Sequence, residues 1–373
     1  MLRADLARGD RHERLCRTGY FTRRCSYLRY RRDRRDAVPA ALQRWRDDLV
    51  RVGLEAGATS EWIGGHLVDE GFPVVCLESR HVKAALGAMT VKTDRNDAQG
   101  IAQIVRTGWF KAVNLKSAAG QRLRTLTAAR KAAVRAVTAN EQVIRGLLRP
   151  LGLKIGAVTR VRFEARVRQP VGADRLLLGI FEPLLRMHRC LRENLADLHR
   201  LVLRAVRVDP ICRRLMTMPG IGPVTALTYR ATIDDPKRFR RSRSVGAYLG
   251  LTPRRYQSGE VDRVGRITKV GDSETRTAFF EAANVILRPT TRWSSMKAWA
   301  MKIANRQGAR RAKVALADEW QSPFTACGLT NRISVGQQLR LSCPRNSERS
   351  MQGAVRTSSH DLSLPLPEHA EEL

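Results

Sequence analysis

The run FPVVCLES, residues 72–79, constrains the fold of this chain more than any other stretch. It is apolar at successive positions yet too short for an ordinary helix. Such a strand belongs inside a sheet covered on both faces, the usual setting of parallel strands in α/β proteins. The flanking sequence agrees. LVRVGLEAG, residues 49–57, reads as a short strand ending at Glu55 and Gly57. Between the two strands lies SEWIGGHLVDEG, with Trp62, Ile63, Leu67 and Val68 at helical spacing and Gly71 as its stop. RHVKAALGAM follows as a second helix, and KTDRNDAQGIAQIVRTG opens a third that Gly108 ends. Strands alternating with helices predict a parallel or mixed α/β sheet.

From Ser117 to about Leu148 the pattern becomes one long helix, with Leu123, Leu126, Val134, Val137, Ile144 and Leu148 as its apolar stripe and arginines mostly off it. A second long helix runs from Ile180 to about Val206. Two such helices suit an antiparallel coiled-coil arm, and equally a bundle core. The boundaries expected from these patterns are a disordered or non-native arginine-rich arm at 1–48 without a buried face, an α/β domain at 49–115, a helical coiled-coil arm at 116–208, a small α-helical domain at 209–316, and a disordered tail at 317–373.

With 68 Lys plus Arg against 35 Asp plus Glu, the net charge is +33. Charge of that size points to a polyanionic partner, nucleic acid first, and the dominance of arginine suits bidentate contact with phosphate. A membrane surface is the weaker option, because no basic amphipathic helix stands out. No apolar run approaches ~20 residues, and no secretory signal opens the chain. The 7 cysteines form no C-x-x-C pair, which argues against a disulfide framework or zinc knuckle and for a reducing, cytoplasmic setting.

Within this basic chain, three groups of residues could carry chemistry. Asp94 and Asp97 stand three apart in KTDRNDA, so both can project from one side of a helix start, and Glu55 ends a strand, where open α/β sheets place their sites. One reading has Asp94 capping the helix and Asp97 solvated. The other has these carboxylates holding Mg2+ against a phosphodiester. The second group, MPGIGPVTALTYRA, resembles a helix-hairpin-helix in which Gly220 and Gly222 bring backbone N–H groups to a phosphate; a plain glycine turn between packed helices is the alternative. The third is LGLTPRRYQSGEVDRVGRITKVGD. Here Ser258 is expected in a loop, with Arg254 and Arg255 on one side and Arg263, Arg266 and Lys269 on the other. It is either a turn residue or a nucleophile whose transition-state charge the guanidinium groups stabilise. Asp272 or Ser273 caps the helix that follows.

In this order, RVGLEAG, KTDRNDA, the long basic helix, MPGIGP, LGLTPRRYQSGE and KVGD resemble the insertion-sequence-110 family of transposases, from about Leu49 to Leu316. The resemblance implies an RNase H/RuvC-like first domain, in which three aspartates and one glutamate bind divalent metal, and a second domain with a nucleophilic serine. It further implies DNA recombination guided by an RNA, by a homo-oligomer. On matching positions, Glu55, Asp94 and Asp97 are metal ligands and Ser258 is the nucleophile. The first aspartate of that pattern has no counterpart here, since Asp5 and Asp10 lie in RADLARGD with no apolar strand around them. After KVALA the expected basic helix is also missing, so both ends read like a copy translated out of frame. The alternatives are a metal-dependent junction nuclease and a nucleic-acid-binding remnant without activity.

The charge generates a direct expectation. Affinity for duplex DNA should fall by about 10³-fold or more between roughly 50 and 200 mM salt, through counterion release, when titrated by fluorescence anisotropy. An affinity that stays flat over this range refutes the electrostatic reading.

Overall fold

The computed structural model describes residues 4–7 and 37–320, apart from Arg240 and Arg292. It divides into two compact units, one within residues 1–121 and one within 122–373.

In the first unit, β1 (Ala4–Ala7), β2 (Arg51–Glu55), β3 (Val74–Leu77) and β4 (Ala112–Val113) form a 4-stranded sheet in that spatial order. β2 and β3 are parallel, whereas β1 and β4 pair antiparallel at the edges. This is the mixed α/β sheet that the alternation predicts. Its helices are α1 (Ala37–Gln43), α2 (Ser60–Asp69), α3 (Ser79–Ala85) and α4 (Asp94–Thr107). The central pair is covered on both faces, as its continuous apolar sequence requires. Val52 packs with Val38, Leu42, Ile63, Leu67 and Phe72. Leu77 packs with Val82, Ile101, Ile104 and Val105. Each fully buried aliphatic side chain here contributes about 1.5–3 kcal/mol by leaving water.

Two expectations about the start of the chain are corrected. Packed structure begins at Ala37 rather than near Leu49, because Val38 and Leu42 of α1 are buried. Residues 4–7 form a strand despite lacking an apolar pattern, and Asp5 is the register partner of Gly53. Ladder pairing at a sheet edge needs backbone groups, not apolar side chains. Asp10 lies outside the described residues.

The second unit contains most of α5 (Ala118–Leu148), then α6 (Phe163–Val171) and α7 (Arg175–Val208). Arg130 meets His199, and Glu141 meets His188, so α5 and α7 run antiparallel. Ile144, Leu148, Phe163, Val167, Phe181 and Leu185 form the core where α6 packs between them. His188 is fully buried, with Nε2 3.2 Å from Glu141 and Nδ1 3.6 Å from Glu164. The second long helix starts before Ile180, because Asp174 accepts from the N–H groups of Leu176 and Leu177 and caps it. It continues through Pro183 without the bond that residue would donate to the Gly179 carbonyl.

At the root of α7 lies a second core, built from α8 (Pro210–Leu215), α9 (Pro223–Ile233), α10 (Ser242–Leu249), α11 (Ser273–Ile286), α12 (Ser295–Gln307) and α13 (Ala309–Glu319). A hairpin of β5 (Pro253–Ser258) and β6 (Val261–Ile267) interrupts these helices. The expected all-helical domain is therefore corrected. No face of this hairpin is buried, so its sequence has no apolar alternation to reveal it. The expected boundary at Leu316 also moves: Ala317 and Trp320 are buried, and the Trp320 ring centroid lies 6.0 Å from that of Phe279. Residues 321–373 lie outside the described residues.

Trp320→Ala should therefore destabilise the second unit by about 3–5 kcal/mol, read as a shifted urea midpoint, because it empties a large fully buried volume. A change below ~0.5 kcal/mol would return Trp320 to the tail.

Candidate functional site

The carboxylates of the first unit are placed by a cap, a helix stripe and a strand register. Thr93 caps α4, its Oγ1 accepting from the Asn96 N–H at 3.1 Å, so Asp94 does not serve as the cap. Both aspartates occupy the first turn, where the helix dipole favours negative charge. Asp97 is 4% exposed and lies four and seven residues before Ile101 and Ile104, on the stripe that faces the sheet. The solvated alternative for Asp97 is thereby ruled out; Asp94 is half-buried. Glu55 is the register partner of Leu77, so their side chains share a sheet face, and Leu77 packs against α4. Glu55 and Asp97 thus belong to one side of the sheet. Carboxylate oxygens suit a hard cation such as Mg2+. Among the described residues, however, no group of three His, Cys, Asp or Glu is close enough to hold an ion.

Ser258 belongs to the hairpin of the second unit. It ends β5 and pairs with Val261 across the turn at Gly259 and Glu260, so it is not a loop residue. Gly259 takes φ 53°, the positive value a tight hairpin turn requires at this position. Both strands are largely exposed. Their ends are held by a close backbone approach. Gly250 has φ 69° and Gly271 φ 111°; a Cβ on Gly250 would strike the backbone of Val270, and one on Gly271 the backbone of Tyr248. The Lys269 N–H donates to the Gly250 carbonyl at 3.0 Å, and the Thr268 N–H to that of Thr252 at 2.9 Å. Just beyond, Asp272 caps α11 by accepting from the Thr275 N–H at 2.7 Å and pairs with Arg124 at 3.0 Å. Burial opposes the charged form of Asp272, but these contacts outweigh it and hold the carboxyl below its usual range. The glycine clasp was the feature that sequence reasoning missed. Its signal was present as a glycine in LGL and another in KVGD, but nothing in the sequence said that they meet.

The basic residues expected around Ser258 are divided by the strand register. Tyr256 pairs with Arg263, and Arg255 with Val264. Arg255 donates from Nε to Asp262 at 2.8 Å, and this contact holds Asp262 below the usual carboxylate range. Arg266 falls in the irregular part of β6, and Lys269 sits in the clasp with φ 54°.

The two glycines of MPGIGP play different parts in the turn between α8 and α9. Gly220 has φ 80°, and a Cβ there would come 2.7 Å from Ile286 Cγ1 and 3.0 Å from the Ala282 carbonyl. Packing against α11 therefore accounts for this glycine. Gly222 is the N-cap of α9 at φ −97°, and a Cβ there would meet nothing within 4 Å. Ile221 and Met218 anchor the turn in the same core as Leu249 and Leu251 at the hairpin's root.

Comparison with known proteins gives the family. A family model described as transposase, of the DEDD type, matches residues 28–151, and one described as transposase, IS116/IS110/IS902 family, matches residues 212–300. The first match starts upstream of Leu49, where the sequence likeness was expected to begin. A DEDD-type transposase domain is typically metal-dependent and suggests an RNase H-like fold. The transposase for insertion sequence element IS1111A of Coxiella burnetii is 30% identical over 277 residues, covering 72% of this chain and 74% of the relative. A probable family 20 transposase of Pseudomonas aeruginosa is 28% identical over 274 residues, covering 72% and 80%. No described helix is long and apolar enough to cross a membrane. The chain belongs to the IS110/IS116/IS902 family of insertion-sequence transposases.

Proposed function

We propose that this transposase cuts and rejoins DNA with Ser258 as its nucleophile. The observation that carries the reading is the placement of Ser258: it ends an exposed basic strand beside its turn, on a hairpin whose root is clasped. In the proposed step a bond forms between Ser258 Oγ and a DNA phosphorus while one P–O bond to a sugar breaks. The serine gives up its proton and the departing sugar oxygen takes one up, so no high-energy cofactor is consumed. Arg254 and Arg263 would stabilise the charge that builds on the phosphoryl oxygens. Reversal of the step with a second strand would complete strand exchange.

Family likeness alone supports Mg2+ in the DEDD-type unit, with Glu55, Asp94 and Asp97 as the carboxylates offered to it; as described they do not close into an ion-binding group, and an ion bound there would neutralise phosphodiester charge. The turn at Gly222 would contact the DNA backbone as a helix-hairpin-helix does, without reading bases. A guide RNA and a homo-oligomer complete the proposal; their support is the family likeness. The coiled-coil role of the antiparallel α5–α7 pair and a cytoplasmic site of action belong to the same reading.

A plasmid carrying the element that encodes this chain, incubated with the chain and the RNA transcribed from that element, tests the proposal. Quenching in denaturant should trap a covalent protein–DNA adduct that Ser258→Ala abolishes. Strand cleavage that persists in Ser258→Ala, with no adduct from either protein, would identify a metal-dependent nuclease. An absence of any cleavage would identify a binding remnant.

The turn has its own test. Gly222→Val should weaken binding to all duplexes alike by about 10-fold, while its unfolding midpoint stays within ~1 kcal/mol of the parent, because the site is open in the fold. Gly220→Ala should instead cost about 2 kcal/mol of stability or more. A Gly222→Val effect confined to particular sequences would mean that the turn reads bases.

A further inference from the structure

The two faces of the hairpin differ in chemistry. Residues opposite one another in an antiparallel register share a face. One face therefore carries Arg255, Gln257, Asp262 and Val264, and its guanidinium is neutralised by Asp262. The other carries Tyr256 and Ser258 opposite Arg263 and Val261. Among the described residues, no carboxylate lies within ion-pair reach of Arg263.

Tyr256 is 57% exposed on this unneutralised face. Its ring reaches across to β6, where a Cβ on Gly265 would stand 3.1 Å from Cε2. Gly265 does not have a positive φ, and the other atoms near that Cβ, the Arg254 carbonyl oxygen and Cβ, stand at ordinary contact distances of 3.5 and 3.6 Å, so the ring is its nearest neighbour. The ring is thus seated with much of its surface in solvent. One step of two residues along β5, about 7 Å, separates it from Ser258.

We propose that Tyr256 is a positioning residue which stacks on an unpaired DNA base beside the phosphate presented to Ser258, so that the hairpin acts on single-stranded or locally melted DNA. In a duplex both faces of a base are covered by its neighbours, and only an unstacked base offers a face to a ring. The uncompensated charge of Arg263 selects a polyanion, and the ring adds what a phosphate alone cannot use. The identity of the adjoining phosphate rests on the reading of Ser258 as nucleophile; the stack itself does not.

The test uses the full chain carrying Ser258→Ala, which prevents covalent capture. Its probes are a single-stranded DNA of about 25 nucleotides bearing 2-aminopurine and the duplex of the same sequence. Tyr256→Leu should weaken single-strand binding about 10-fold and relieve 2-aminopurine quenching. It should leave the salt slope and the duplex affinity unchanged, because no charge is removed. Tyr256→Phe should behave as the parent, and Tyr256→Trp should bind the single strand more tightly, a gain that a damaged hairpin cannot produce. Single-strand affinity unaffected by Tyr256→Leu, or single-strand and duplex affinities lost in equal measure, would overturn the stack. If the stack is found but the wild-type chain forms no adduct, the reading of Ser258 fails and the stack stands. An adduct combined with an inert Tyr256→Leu gives the converse.

Discussion

The hairpin that bears Ser258 has almost no buried side chain, so its direction depends on how its two ends meet the rest of the unit. That meeting is a backbone-to-backbone approach at Gly250 and Gly271, closer than any side chain would permit. Both glycines adopt positive φ, and the neighbouring Lys269 does so as well. A residue with a Cβ would suffer twice at either position, once from its conformation and once from collision. The clasp converts an exposed ribbon, which would be marginal alone, into an extension of a packed core. Asp272 continues the same construction, since one carboxylate caps α11 and anchors Arg124.

The first unit solves a different problem, which is to keep acidic groups inside a strongly basic chain. Thr93 supplies the helix cap, so neither aspartate is needed for it. Burial of Asp97 on the sheet-facing stripe of α4 would be costly without a role or a partner. The register that sets Glu55 beside Leu77 brings a second carboxylate to that side. The physical ingredients of an acidic site thus follow from two elements packing together, although the described carboxylates do not close into an ion-binding group.

Glycines that look alike in the sequence have separate causes. Gly220 is demanded by α11, which leaves no space for a Cβ, whereas Gly222 faces open space at a helix start. The first is a matter of packing and the second leaves room for a partner. In the long helices the contrast lies in charge: His188 is fully buried between two glutamates, whereas most arginines of these helices reach solvent. A buried polar cluster of this kind fixes how three helices meet more sharply than aliphatic contacts do.

Much of this protein was legible before folding. Continuous apolar runs at 52–54 and 74–77 determined strands covered on both faces, because only such burial rewards them. Apolar residues at helical spacing determined α2, α4, α5 and α7, and the excess of arginine set the expectation of a polyanionic partner. Other features were decided only by tertiary contact. The hairpin at 253–267 has no buried face and hence no apolar period to read. Trp320 looks like the start of a polar tail until Phe279 meets it. The separation of Arg255 from Arg263 onto opposite faces depends on a register that no local preference sets. Sequence declares what a residue can do alone; which residues come within reach of Ser258 depends on pairing across a turn and a clasp, and those are long-range facts.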